Sequence, residues 1–165
     1  MTGVKVDILV HFGYKGPVKL STQADYAVRA VFELARREPG AVVHTCDIAA
    51  AQSIPGARLT KVIQDLARAD VVRTQRGQSG GVTLARGADR ITVREVVEAV
   101  EGPILLCRCR QRVEPCGDEA CDTHDFWSGV ERLLAEELQA TTFAALADRR
   151  RATPGRSGRR QTMRR

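Results

Sequence analysis

The spacing of apolar residues predicts that most of this 165-residue chain is helical. A first helix is expected to begin near Thr22, which together with Asp25 predicts a capping box. The apolar positions of this helix recur at helical spacing, and they are Ala27, Val28, Val31, Leu34 and Ala35. Pro39-Gly40 is expected to end the helix, because proline cannot continue one.

Two short helices with a tight turn between them are predicted next. Thr45 is expected to cap the first, and Ser53 to Gly56 forms the turn, in which Pro55 can begin a helix but not continue one. The second helix has apolar positions at i, i+3, i+4 and i+7, which are Leu59, Val62, Ile63 and Leu66. Its solvent side is then predicted to carry Arg58, Lys61, Asp65 and Arg68. This arrangement is typical of a helix-turn-helix whose second helix enters the major groove of DNA.

Two short runs, Val71 to Gln75 and Val82 to Ala85, predict the strands of a β-hairpin. The loop between them, RGQSGG, contains glycines that adopt backbone angles barred to other residues, so its tip is thin. It lacks the GK[ST] ending of a phosphate-binding loop. The hairpin is therefore predicted to be a wing, with Arg76 at its base and Gly77 and Gly80 at its tip.

The carboxyl-terminal half is predicted to contain two more helices. Thr92 and Glu95 predict a capping box for one of them, and Gly102-Pro103 stops it. From about Thr123 to Asp148 the pattern predicts one long helix with an apolar side, which is Val130, Leu133, Leu134 and Leu138. The opposite side is predicted to be acidic, with Glu131, Glu136 and Glu137. A small winged domain leaves such a helix little to cover, so its apolar side is assigned to a dimer interface.

The net charge of +6 is unevenly distributed along the chain. Residues 149–165 contain eight arginines and no acids, and residues 58–94 carry eight basic and three acidic side chains. Residues 95–148 carry four basic and twelve acidic side chains. A basic region beside an acidic one predicts that one face meets a polyanion. No apolar run approaches a membrane span, so we expect a cytoplasmic protein without a membrane partner.

These patterns predict a mainly α fold class with a small β-hairpin, namely a winged helix-turn-helix with a long carboxyl-terminal dimerisation helix. Residues 1–18 are predicted to be an extension, and a start at Val18 is an alternative. The other predicted parts are a DNA-binding domain (19–103), a cysteine-rich loop (104–125), the dimerisation helix (126–148) and a disordered arginine-rich tail (149–165).

The cysteine-rich loop is a candidate metal site. Four of the five cysteines lie between Cys107 and Cys121, and His124 follows three residues later. Thiolates and imidazole suit zinc or an iron–sulfur cluster, whereas magnesium and calcium prefer oxygen ligands. The favoured ligands are Cys109, Cys116, Cys121 and His124, and these residues alone leave zinc and a cluster equally open. The fifth cysteine, Cys46, is predicted to be a small buried apolar residue.

The basic residues around the predicted helix-turn-helix divide by their expected DNA contacts. Arg58 and Lys61 lie near the start of the second helix and are expected to reach base edges in the major groove. Arg68 and Arg73 are expected to meet phosphates, and Arg76 suits the minor groove. Solvated surface charge is the alternative role for these side chains, and their placement disfavours it.

From Lys19 to about Asp148 the chain resembles the Rrf-two family of bacterial winged-helix transcription regulators, and most closely its iron–sulfur members of the IscR type. The specific matches are the glycines of the wing and the segment CDTHDFW from Cys121 to Trp127; further matches are KLS and DYA near the first helix, Ile54 to Leu59, and Val93 to Glu98.

The resemblance implies a homodimer with a [2Fe–2S] cluster on each subunit, held by three cysteines and one histidine. By position these are Cys109, Cys116, Cys121 and His124, with Cys107 as the alternative first ligand. The implied function is a repressor or dual regulator that binds a pseudo-palindromic double-stranded DNA operator. Through the cluster it would sense iron–sulfur status, redox state or nitric oxide.

Two other functions remain as alternatives. One is a zinc-stabilised winged-helix DNA-binding protein that does not sense through a cluster. The other is a thiol redox enzyme using Cys107 and Cys109, which we disfavour because no βαβ pattern surrounds that pair. We therefore predict that the chain is not an enzyme.

Overall fold

The structure, a computed structural model, describes residues 20–75, 77, 80–106 and 122–152. Its elements are α1 (Thr22–Ala35), α2 (Thr45–Gln52), α3 (Gly56–Arg68), β1 (Val72–Gln75), β2 (Gly81–Leu84), a short 3-10 helix (Ala88–Arg90), α4 (Val93–Glu101), α5 (Asp122–Ala140) and α6 (Phe143–Ala152). This order confirms the predicted class of a mainly helical winged domain with one hairpin. The predicted extension 1–18, Arg76, and most of the cysteine-rich loop and of the arginine-rich tail lie outside the described residues.

Side-chain caps fix the starts of α1 and α4, and only one of the two was predicted correctly from the sequence. Ser21, not Thr22, caps α1, because its Oγ accepts hydrogen bonds from the backbone N–H groups of Gln23 and Ala24 at 3.1 and 3.2 Å. The predicted Thr22–Asp25 box was therefore wrong. The predicted cap at Thr45 was also wrong, because Thr45 is the first residue of α2. The N-cap position is occupied by His44, whose side chain makes no capping hydrogen bond.

The capping box of α4 is confirmed. Thr92 Oγ1 accepts from the Glu95 N–H at 3.3 Å, and Glu95 Oε2 accepts from the Thr92 N–H at 2.9 Å. Two donors at the start of α4 are satisfied in this way, so α4 begins at a fixed position. Its buried residues Val93, Val96 and Val97 then face the core.

Helix α1 lies at the centre of the core and contacts α2, α3, α4, α6 and β2. Three alanines on its buried side are fully inaccessible, namely Ala24, Ala27 and Ala30. Such small side chains allow the neighbouring helices to approach closely, and the larger side chains come from those neighbours. The fully buried ones include Ile48, Leu59, Leu66, Ile91 and Phe143.

The single long helix expected from Thr123 to Asp148 is wrong, because the chain leaves the helix at Thr141 and Thr142. Two successive β-branched residues weaken a helix. Their backbone instead pairs with the segment before α4: Val93 N–H donates to Thr141 O at 2.9 Å, and Phe143 N–H donates to Ile91 O at 3.0 Å. Phe143 is thereby fully buried, and α6 packs on α1 rather than extending α5.

The wing is an antiparallel pair in which Val72 lies opposite Leu84 and Gln75 opposite Gly81, close to the predicted strands. A third segment joins it at Val43, which exchanges hydrogen bonds of 2.9 and 2.8 Å with Val82. A Cβ on Gly81 would lie 2.6 Å from the carbonyl oxygen of Val43. Only glycine therefore allows this close approach of the two backbones.

The exposed surface of α5 includes large apolar side chains, whereas Leu138, at the end of the predicted apolar side, packs against the core. Phe126 and Leu133 are 62% and 64% exposed, while Glu131, predicted on the solvent side, is buried. Glu131 is buried because its Oε1 accepts a hydrogen bond of 2.6 Å from the backbone N–H of Leu106. No helix within the described part of the chain is long and apolar enough to cross a membrane.

Candidate nucleic-acid interface and metal centre

The turn between α2 and α3 is fixed by backbone geometry. Ser53 ends α2 in the left-handed region with a φ of 52°. The next residue, Ile54, donates its N–H to Ala49 O at 2.9 Å and buries its side chain. Pro55 then precedes α3 as its N-cap. The two helices are held by this turn and by the shared apolar core, as a helix-turn-helix requires.

One face of α3 is exposed along its whole length, and it consists of Ala57, Thr60, Lys61, Gln64 and Arg68. Arg58 is also exposed and lies at the edge of this face. The predicted exposure of Arg58, Lys61 and Arg68 is therefore confirmed. Asp65, predicted beside them on the solvent side, is buried instead.

Asp65 is buried because three side chains satisfy its carboxylate. Lys61 Nζ lies 3.2 Å from Oδ1, and Arg68 Nη2 binds the same oxygen. The other oxygen, Oδ2, accepts a hydrogen bond of 3.0 Å from Gln23 Nε2 on α1. A buried carboxylate would be costly without such partners.

A groove of about 480 Å³ separates α3 from the wing. Hydroxyl and amide groups line it from both sides, namely Thr60, Gln64, Thr74 and Gln75. The sequence reasoning missed these four residues, although Gln64 lies at helical spacing between Lys61 and Arg68. Cys46 also lines the groove and is exposed, so its predicted burial was wrong. It lies in the first turn of α2, on the side turned away from the core.

The described part of the wing tip is a tight turn. Gly77 has a φ of 110°, and its carbonyl oxygen accepts a hydrogen bond of 2.9 Å from the Gly80 N–H. Only glycine adopts such a φ readily. Arg73 is exposed on β1, whereas Arg76 lies outside the described residues.

Among the predicted metal ligands, only His124 lies within the described part of the chain. It occupies the first turn of α5 and is half-buried. Cys107, Cys109, Cys116 and Cys121 lie outside that part. Their combination with His124 gives three or more thiolates and one imidazole, a donor set that fits an iron–sulfur cluster or zinc.

Both ends of the segment that contains these cysteines meet α5. Leu106 is the residue before the segment, and its backbone N–H donates a hydrogen bond to Glu131. Asp122 is the residue after the segment and the first residue of α5. Nine residues of helix separate these points, which corresponds to roughly 14 Å along the axis. His124 lies seven residues before Glu131 and therefore on the same side of α5.

The chain is similar to a known protein family and to individual regulators. The model of the Rrf2 (Rrf-two) family, described as "Iron-dependent Transcriptional regulator", matches residues 20–149. An HTH-type transcriptional regulator of Mycobacterium tuberculosis is 34% identical over 131 residues, which cover 79% of this chain and 81% of that protein. The HTH-type transcriptional regulator IscR of Erwinia tasmaniensis is 28% identical over 131 residues, with 79% of each protein covered.

Solved structures of regulators share the fold. CymR, the global cysteine regulator of B. subtilis, superimposes with a TM-score of 0.68 at 27% identity, covering 81% of this chain and 99% of that one. IscR of T. potens gives a TM-score of 0.67 at 28% identity, with 85% and 94% covered. With a family model matching nearly the whole described chain, the protein belongs to the Rrf2 family of winged-helix transcriptional regulators, which are not enzymes.

Proposed function

We propose that this protein is a homodimeric transcription regulator whose binding to a DNA operator depends on a [2Fe–2S] cluster held by the cysteine-rich loop. One observation carries the proposal: the residue before the segment with four cysteines is hydrogen-bonded to Glu131, on the side of α5 that presents His124, and the residue after the segment begins the same helix. The segment therefore begins and ends at the helix that carries His124.

Operator binding is assigned to α3 and the wing. Arg58 and Lys61 lie near the amino-terminal end of α3, where side chains reach base edges in the major groove. Arg68 and Arg73 are assigned to phosphates, and the wing tip with Arg76 to the minor groove. Exposure of Arg58, Lys61, Arg68 and Arg73 supports this division.

Dimerisation is assigned to the exposed side of α5. An apolar helix side that stays open in one subunit loses contact with water when it packs on a second copy. The two recognition helices of such a dimer would meet major grooves about one helical turn, or a multiple of it, apart. The two-fold symmetry of the dimer requires a pseudo-palindromic operator.

The cysteine-rich loop is connected to the DNA-binding side through α4 and α1. Glu101, at the end of α4 and near the start of the loop, accepts a hydrogen bond from the hydroxyl of Ser21, the cap of α1. When bound, a [2Fe–2S] cluster would supply a redox-active centre held in part by His124. A change in the position of the loop can reach α1, and through it α3, by these contacts.

Anaerobic purification of the full chain tests the metal assignment. About two irons and two sulfides per chain with visible absorbance are expected. Cys116→Ala should abolish both signals and leave a folded protein. Cys46→Ala is the matched control, because this exposed cysteine belongs to α2, and it should keep the iron. A colourless protein with one zinc, or a metal-free protein with a reversible Cys107–Cys109 disulfide, would contradict the cluster.

Binding to an operator selected from random-sequence DNA tests the interface. Arg58→Ala should weaken operator binding by about 1–3 kcal/mol if a base contact is lost, and the iron content should not change. Arg90→Ala removes an exposed arginine from the short 3-10 helix, outside α3, the wing and α5, and serves as the charge control. Equal effects of the two substitutions would show that α3 has no special role.

A further inference from the structure

We infer that Asp65 is a specificity-determining residue of the DNA interface, acting by positioning Lys61 and Arg68. The inference rests on the proposed operator binding and deepens it. By holding both cations, Asp65 limits their attraction to arbitrary phosphates and fixes Lys61 where only a matching base edge can use it. Asp65 itself need not touch DNA.

The first supporting observation is that one carboxylate oxygen of Asp65 binds two cationic side chains. Lys61 lies four residues before Asp65 and Arg68 three residues after it, so all three share one side of α3. Both cations bind Oδ1. The two positive charges of this side are therefore reduced to a net charge of about one.

The second observation is the contrast in exposure. The side chain of Asp65 is 8% exposed, whereas those of Lys61 and Arg68 are 59% and 71% exposed. An ammonium has three donors and a guanidinium five, so each cation keeps free donors while it binds Asp65. Both can therefore contact DNA from the position that Asp65 imposes.

The third observation is that α1 fixes the carboxylate. Gln23 Nε2 donates to Oδ2 at 3.0 Å, which leaves Oδ1 for the two cations. Without this bond the carboxylate could rotate, and the cations would sample more orientations. Ordered side chains lose less conformational entropy when they bind, and this gain is realised only where the DNA groups match their positions.

The chain contains a matched control for this arrangement in Glu33 on α1. It is also buried, and it also binds two cations and one glutamine amide. Its partners are Arg36 at 3.3 Å, Arg37 at 2.7 Å and Gln52 at 2.8 Å. Glu33 lies outside α3, so removing its charge perturbs a similar cluster away from the recognition helix.

The test compares the full-length wild-type chain, purified anaerobically, with Asp65→Asn and Glu33→Gln. Affinities are measured for an operator selected by the wild type and for random DNA, across a salt series. Asp65→Asn should raise random-DNA affinity roughly threefold to tenfold, because two cations are released. The logarithmic salt slope should steepen by about 1 to 2. The ratio of operator to random affinity should fall roughly fivefold or more. Glu33→Gln should change none of these three quantities.

Gln23→Ala is the second variant and covers the case in which Asp65→Asn does not fold. It removes no charge, so the salt slope should stay at the wild-type value, while the affinity ratio falls roughly twofold or more. An unchanged ratio in both variants overturns the inference, as does an equal loss of affinity for both DNAs with an unchanged slope. If the wild type selects no sequence at all, the proposed operator binding fails first, independently of Asp65.

Discussion

Helices α3 and α5 carry similar apolar stripes, yet the same subunit covers all of the first and only the Leu138 end of the second. Leu59 and Leu66 of α3 are fully buried inside the subunit. Phe126 and Leu133 of α5 are mostly exposed, and α5 faces α4 with its other side. An apolar stripe therefore indicates that a surface is to be covered, but not whether the same subunit covers it.

Each of the two helices also buries one carboxylate that the sequence pattern assigned to solvent. Asp65 of α3 is satisfied by side chains, and Glu131 of α5 by the backbone N–H of Leu106. Lys61 and Arg68 lie on α3 at helical spacing from Asp65, but Gln23 on α1 and the Leu106 N–H are not visible in the periodicity of either helix. Burial of these carboxylates therefore depends in part on groups from other segments.

The largest expected effect on stability concerns the buried apolar stripe of α3. Leu66→Ala should lower the free energy of unfolding by about 2–5 kcal/mol, because the removed atoms leave a cavity in a close-packed core. Leu20→Ala, at a leucine that is 58% exposed, should change it by less than about 0.5 kcal/mol. Urea denaturation at one fixed protein concentration measures both. Similar losses for the two variants would contradict the assigned core.

Most of the fold could be predicted because its helices bury their apolar sides within the chain. The limits of α3, the wing and α4 follow from local spacing, turns and caps. The break at Thr141 and Thr142 could not be predicted in this way, because it depends on pairing with Ile91 and Val93, about fifty residues earlier. Ser21 and Thr22 are both good caps, so local chemistry could not choose between them.

The candidate site was predictable to a smaller extent. Exposure of Arg58, Lys61 and Arg68 follows from the apolar face of α3, since these residues lie off it. Thr74 and Gln75 became candidates only when β1 was found beside α3 across the groove. The burial of Asp65 depends on Gln23, which is forty-two positions earlier in the chain.

The second-largest expected effect concerns the exposed apolar side chains of α5, and it tests whether a second subunit covers them. Leu133→Glu should weaken the proposed dimer by at least about 2 kcal/mol, roughly 30-fold, because a charge would be buried at the centre of an apolar contact. The winged domain should remain folded. Sedimentation equilibrium measures the dissociation constant, and Leu20→Glu controls for a charge at another exposed leucine. A dimer that persists unchanged in Leu133→Glu would remove α5 from the interface.

The smallest expected effect tests whether Glu131 holds the start of the cysteine-rich loop. Glu131→Ala removes the acceptor of the Leu106 N–H and should cost about 1–2 kcal/mol of unfolding free energy, because a part-buried donor loses its partner. Glu131→Gln keeps a carbonyl oxygen at nearly the same position and should cost less. Thermal unfolding followed by circular dichroism separates the two variants, and iron retention measured in parallel reports on the loop. Equal losses in both would mean that the charge of Glu131, rather than its hydrogen bond to the loop, stabilises this side of α5.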